Sequence, residues 1–222
     1  MSEALEINPC DAEALKAFGL YLTAVGRVAE GLPFLRQAVV LDPATAFCRT
    51  DLLLALYVAG ETEAAVDQAR AIWTIAPQNR NTLSGLARIQ INAGRASAAL
   101  DSLNQLFVSH DLQPVPTLEL AIFRRSEQVA ARQREGHGLW TTAAVWQMLA
   151  GQREAARTAL ATACAEPDWY TAVAAQFPEL APLLDDPIFA AGGACHRLLT
   201  FPPATPYRRS VRSPPIDPAR SC

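Results

Sequence analysis

Apolar side chains recur at helical spacing through most of the chain, in short runs that close on glycine or proline. The runs "LYLTAVG", "LALYVAG" and "IQINAG" precede or include Gly26, Gly60 and Gly94, while "ALEINP", "AVVLDP" and "WTIAP" end on Pro9, Pro43 and Pro77. Both residue types keep a spacing of 34 residues, each glycine about midway between two prolines. Proline has no N–H and cannot continue a helix, so it marks a helix end and a turn. Glycine accepts the left-handed backbone that a tight helix–helix turn demands. The predicted unit is helix, glycine turn, helix, proline turn, and no segment reads as a strand.

This pattern resembles the tetratricopeptide repeat, whose period is 34 and whose small and large apolar positions fall at fixed offsets. The first unit, about 12–45, offers Leu15, Phe18, Gly19, Leu22, Gly31, Leu35, Ala38 and Pro43 at those offsets. Gly19 and Gly31 are the small partners, Phe18 and Leu35 the large ones. The second unit, about 46–79, offers Leu52, Leu53, Leu56, Ala65, Ala69, Ile72 and Pro77, and departs at Arg49. The third, about 80–111, offers Leu83, Leu86, Ala87, Ala99, Leu103 and Leu106, with Asp111 where proline would fall.

The period then breaks at Pro114 and Pro116. "TLELAIFRRSEQVAARQRE" predicts one separate helix, and a re-phased unit follows with Trp140, Ala143, Ala144, Gly151, Ala156, Leu160 and Ala163 at repeat offsets. The segment "FPELAPLLDDPIF" resembles the D-P-x-F step that closes many bacterial arrays of this kind, through Asp186, Pro187 and Phe189. The resemblance implies an all-α fold: an α-solenoid of helix-turn-helix repeats in a right-handed superhelix, with a C-terminal helical cap. Along the chain this divides into a partial repeat end at 1–11, three repeats at 12–111 and a linker with an extra helix at 112–136. A fourth repeat-like unit at 137–170, a cap at 171–199 and a disordered Pro/Arg tail at 200–222 complete the division. "ALEINP" matches the last turn of a unit whose earlier part is missing, so either a degenerate stub caps the array or the reading frame is a remnant of a longer protein.

Composition agrees with dense helix packing. Half of the 222 residues are hydrophobic, 18% are charged, and 42 are alanine. Alanine is the best helix former and permits close backbone approach. A net charge of −3 and a pI near 5.6 argue against bulk attraction to nucleic acid or to an anionic membrane. Lys16 is the only lysine, and the arginine and alanine bias suggests a GC-rich bacterial genome. The five cysteines, Cys10, Cys48, Cys164, Cys195 and Cys222, are scattered and odd in number, which reads as reduced, mostly buried thiols in a cytoplasmic protein. The acidic N-terminus has no apolar core of a signal peptide, and no apolar run is long enough to span a membrane.

No catalytic motif is present: no phosphate loop, dinucleotide fingerprint, zinc-protease motif or nucleophile elbow. His110, His137 and His196 lie far apart, and Cys195–His196, the glycine pair of "AGGACH" and Asp185–Asp186 read as cap and turn chemistry. No enzyme activity, cofactor or metal is expected. Trp73, Trp140, Trp146 and Trp169 read as buried packing, and Arg124, Arg125, Arg132 and Arg134 as a solvated, ion-paired helix face.

The remaining site is the concave groove lined by the first helix of each unit. The family's groove offsets imply Lys16 and Leu20 in the first unit, Phe47, Leu54 and Tyr57 in the second, and Asn81, Arg88 and Asn92 in the third. Aromatic and arginine side chains are the usual anchors of peptide binding. Phe47, Leu54 and Tyr57 could instead pack the neighbouring unit. The family's clamp for chaperone C-terminal carboxylates has its offsets at Lys16, Leu20, Asp51, Asn81 and Gly85, and the acid at Asp51 would repel such a ligand. The resemblance therefore implies a non-catalytic scaffold that binds a protein or peptide in its groove, with no direct contact to nucleic acid or membrane. The alternative is a regulatory module separated from the output domain of a bacterial transcription regulator or nucleotide cyclase.

Overall fold

A computed structural model describes residues 10–77, 79–135, 139–166, 169–174, 176–186 and 189, without the side chains of Arg80, Asn81, Arg134, Trp169 and Ala174. The expectations for residues 1–9, His137, Pro167, Pro187, Cys195, His196, the glycine pair of "AGGACH", Cys222 and the Pro/Arg tail lie outside the described residues.

Every regular element among the described residues is a helix. Three hairpins come first: α1 (Ala12–Ala24) with α2 (Val28–Leu41), α3 (Ala46–Val58) with α4 (Thr62–Ile75), and α5 (Arg80–Asn92) with α6 (Ala96–Val108). The first helices begin at Ala12, Ala46 and Arg80 and the second at Val28, Thr62 and Ala96, so the period of 34 in the sequence is the period of the structure. A single longer helix, α7 (Leu118–Arg134), is followed by a fourth hairpin of α8 (Trp140–Leu149) and α9 (Arg153–Ala165). Two short helices close the described chain, α10 (Trp169–Ala174) and α11 (Ala181–Leu184).

All four hairpins turn in the same way. Gly26, Gly60, Gly94 and Gly151 have φ between +69° and +77°, and in each case the next residue's N–H donates back across the glycine to the carbonyl five residues earlier, as Glu61 does to Leu56 at 2.9 Å. This closes the orphan carbonyls of the first helix, and a residue with a Cβ would be strained there. Asp111 (φ 59°) takes the same place after α6, with Leu112 N–H donating to the Phe107 carbonyl at 3.0 Å. The Asn104 side chain then clips the proline-flanked Val115, donating to its carbonyl at 3.0 Å and accepting from its N–H at 2.8 Å. That extended clip carries the chain into α7 and re-phases the array.

Within the first hairpin the backbones nearly touch. A Cβ on Gly31 would lie 2.6 Å from the Gly19 carbonyl oxygen, and one on Gly19 would lie 2.6 Å from the Leu35 side chain. Gly31→Ala is therefore expected to destabilise the fold by about 1–3 kcal/mol, because the clashing atom is helix backbone and α1 must move away. A urea titration checks this; an unchanged midpoint would mean the two helices are farther apart than described.

Each helix packs mainly on its sequence neighbours, and one apolar cluster runs from Leu32 through Phe107 and Trp146 to Phe189. Arg36–Glu61 at 2.7 Å and Arg95–Glu63 link second helices of successive units at the surface. Such exposed pairs contribute at most about 1 kcal/mol. The architecture is that of an α-solenoid of tetratricopeptide type. One contact departs from neighbour-only packing: α10 touches both α8 and α1, bringing the end of the array back to its beginning.

Candidate functional site

The first helices of the second and third hairpins, α3 and α5, present side chains that meet on the closing segment. Glu179 is the centre of the contact. Its Oε1 accepts hydrogen bonds from the Tyr57 hydroxyl of α3 at 2.7 Å, from Arg88 Nε of α5 at 2.9 Å and from Asn92 Nδ2 of α5 at 3.1 Å. Asn92 Nδ2 also lies 2.8 Å from the Tyr57 oxygen, and Arg88 Nη1 donates to the Tyr170 hydroxyl at 2.5 Å. Phe177 completes the grip. Its ring lies 4.6 Å under the Arg88 guanidinium, 5.1 Å from the Tyr170 ring and 6.5 Å from the Tyr57 ring.

The local sequence explains this shape. Pro178 and Pro182 forbid a long regular helix, so residues 176–184 advance through short turns, such as Leu180 N–H to the Phe177 carbonyl at 3.1 Å and Leu183 N–H to the Leu180 carbonyl at 2.8 Å. These turns aim Phe177 and Glu179 into the groove. The opposite side of the segment holds the array's end: Arg153 Nη2 donates to the Pro182 carbonyl at 2.8 Å, and Thr141 and Thr171 share a hydrogen bond at 3.1 Å. The segment expected as a terminal cap reaches back to the second and third units. Gln176 reaches the first hairpin turn, where a Cβ on Gly26 would meet its side chain at 3.5 Å.

Burial removes the cluster's centre from water, with Asn92 at its exposed edge. Tyr57 is 8% exposed, Arg88 6% and Glu179 7%. Burial and the adjacent Glu179 charge push the Tyr57 phenol well above its ordinary pKa against the pull of Arg88, so it remains a donor. Burial works against the Arg88 charge, but Tyr170, Glu179 and Tyr57 around it outweigh that and raise its pKa. Arg88 Nη2 and Glu179 Oε2 are buried without hydrogen-bond partners among the described residues. The ion pair is therefore engaged through one oxygen and one nitrogen only.

The other groove positions do not join this cluster. Leu54 is buried in the core, and Leu20 is half-buried against it. Phe47 is 74% exposed, so it does not pack a neighbouring unit. Lys16 pairs with Glu13 at 2.5 Å on its own helix. The Asn81 side chain lies outside the described set. Tyr57 meets Arg88 and Asn92 of the next unit, and both Tyr57 and Arg88 are also covered by residues about 80 to 120 positions later in the chain. Glu179, Phe177 and Tyr170 were not singled out from the sequence. The available signal was a lone carboxylate bracketed by prolines in the closing segment, opposite a groove arginine.

A second acid sits deeper in the first two units. Asp51 is buried, and burial raises its pKa to about 6, with Lys16 opposing and Glu13 reinforcing the shift. Its unfolded value is 3.8, so between pH 4 and 6 the folded chain holds a proton that the unfolded chain has released. Stability is therefore lost as pH rises through this window, by about 1–3 kcal/mol for a shift of this order. Asp51→Asn is expected to melt higher than the parent at pH 7.5, with the gap closing by pH 4. A constant gap across that range would contradict the buried-acid reading.

Elsewhere, two expectations are corrected. Arg125 is not on a solvated face: it is buried, donates to Ser84 Oγ at 3.3 Å and lies 6.0 Å over the Trp146 ring. Burial, with Arg132 nearby, lowers its pKa to about 10. Cys10 and Cys164 are disulfide-bonded rather than reduced, and Cys48 is a buried free thiol. Disulfide formation depends on spatial rather than sequence separation, so the spacing could not reveal it, and the cysteine argument for a reducing compartment falls. Trp146 is fully buried, while Trp73 and Trp140 are half-buried against the same core. Among the described residues no helix is long and apolar enough to cross a membrane, and no cluster of three metal-ligating side chains occurs.

No protein-family model matches the chain. No curated protein matches it either. Among solved structures, the chain is similar to the crystal structure of MamA, at TM-score 0.47 and 16% identity over 74% of this chain and 83% of that one. It is also similar to YrrB, described as a TPR protein with an unusual peptide-binding site, at TM-score 0.44 and 21% identity over 79% of this chain and 96% of that one. Both are similarities of shape, and the tetratricopeptide-type architecture of this chain rests on its own helix pairs and their 34-residue period.

Proposed function

We propose that the chain is a non-catalytic interaction scaffold that binds a peptide or helix on its concave face. One observation carries this: Tyr57, Arg88 and Asn92, from two successive units, meet on a single carboxylate belonging to a segment outside the repeats. Side chains from separate units converging on one polar group, with aromatic rings around it, are the chemistry of peptide recognition. The absence of any catalytic motif from the sequence fits the same reading.

The test is selection of peptides from a random displayed library on the full chain, followed by affinity measurements on variants. Binders are expected to lose at least tenfold in affinity on Arg88→Met and several-fold on Asn92→Ala, whose side chain is more exposed and whose loss is easily tolerated. Val40→Ser, on the exposed side of α2, should leave them unchanged. Peptides that bind all variants equally would place recognition outside the groove.

A further inference from the structure

The groove is not vacant: the chain's own closing segment fills it. We infer that residues 176–184 are an intramolecular ligand that holds the groove shut, and that the external partner is a peptide presenting an aromatic residue followed two positions later by a glutamate, which displaces it. This rests on the peptide-binding reading of the groove and adds to it the partner's chemistry and the gate.

The contact has the form of recognition rather than of repeat packing. Glu179 takes three donors on one oxygen, and Phe177 is held between an arginine and two tyrosines. The two side chains stand two residues apart and enter the groove together, so the motif Phe-x-Glu is the portion that the groove reads. The segment itself is built of short turns and a four-residue helix, and its release would break few backbone hydrogen bonds but would expose Phe177, Leu180 and Leu183, which are buried in the apolar cluster.

The fit is incomplete in a specific way. Arg88 Nη2 and Glu179 Oε2 are both buried without partners among the described residues. A carboxylate free to approach the guanidinium side-on would satisfy both atoms in a bidentate pair, which the tethered segment, fixed to the array's end through Pro182 and Thr171, does not form. The tether supplies a high effective concentration, so it prevails over weak external peptides and yields to a better-matched one. A shut groove lowers apparent affinity by the fraction of time it is open.

The probe is a dye-labelled, acetylated and amidated peptide copying residues 176–184, titrated against the full chain, Glu179→Gln and Phe177→Ala/Glu179→Gln. The opened variants are expected to bind it at least tenfold more tightly than the parent, and a probe with its glutamate replaced by glutamine should bind none of them. Equal affinity for parent and opened variants would overturn the gate while leaving the groove reading to the library peptides. No binding to an opened variant with the parent's circular dichroism would overturn the internal-ligand assignment. Should the double variant not fold, Glu179→Gln decides alone by hydrogen exchange. Faster exchange confined to residues 176–184, with α3 and α5 unchanged, supports the gate; unchanged exchange in that segment refutes it.

Discussion

Glu179→Ala is expected to weaken the docking of the closing segment by about 3–5 kcal/mol, the usual effect of removing one partner of a buried ion pair and leaving the other charge without compensation. The carboxylate is the shared acceptor of Tyr57, Arg88 and Asn92, so its loss strands the Tyr57 hydroxyl and Arg88 Nε, while Asn92 keeps the Tyr57 oxygen and the Arg88 carbonyl. Stranded donors regain solvation only if the segment lifts away. The expected result is therefore a local opening, with the helix pairs α1–α6 intact. Limited chymotrypsin digestion reads this: cleavage after Tyr170, slow in the parent, should become at least tenfold faster, while circular dichroism keeps the helical signal. Glu166→Ala, at an exposed position after α9, serves as the control and should cleave like the parent. Unchanged cleavage of Glu179→Ala would mean that the carboxylate does not hold the segment.

The second large effect is expected from Leu53→Pro. Leu53 lies in the middle of α3, where proline removes the N–H that bonds the preceding turn and its ring collides with that turn's carbonyl, at a cost of about 3 kcal/mol or more. In a single central core such damage spreads evenly. Here α3 connects the first hairpin to the rest, because contacts pass mainly between neighbouring helices. The variant should lose helical signal corresponding to about one unit and melt in more than one step. It should also release the closing segment, since α3 carries Tyr57. A single transition at the parent temperature would show that residues 46–58 are not the helix described.

Turn chemistry was legible because it is local. Gly26, Gly60 and Gly94 announce their hairpins by spacing alone, and Gly151, off the period, makes the same turn with the same left-handed φ. The packing of Leu35 on the small Gly19 followed equally from residue size, whereas the approach of Gly31 to the Gly19 backbone did not. Asp111 was noted as a missing proline, and its left-handed backbone could not be read from that, because a side chain with a Cβ normally avoids this conformation. The clip between Asn104 and Val115 has no signature in sequence, being set by where α6 ends.

The groove was half legible. Repeat offsets put Tyr57, Arg88 and Asn92 on one face, and the structure brings all three within hydrogen-bonding distance of one oxygen. Their covering partner lies 87 to 122 residues away, and no periodicity connects the two. The clamp argument shows the same limit. Asp51 argues against a carboxylate near Lys16, yet the groove holds a carboxylate one unit further on, around Arg88. Arg125 was misjudged because its burial depends on Trp146 from a different helix, a contact invisible to helical charge patterning.

The account stands on the contact between Arg88 and Glu179, and a double-mutant cycle measures it most directly. Arg88→Met, Glu179→Gln and the double variant would be compared by hydrogen exchange at the Leu180 and Leu183 amides, which are bonded within the closing segment. A coupling of about 2 kcal/mol or more is predicted for a buried, hydrogen-bonded pair. A coupling within about 0.5 kcal/mol of zero, the value for independent sites, would show that the groove does not hold its own closing segment.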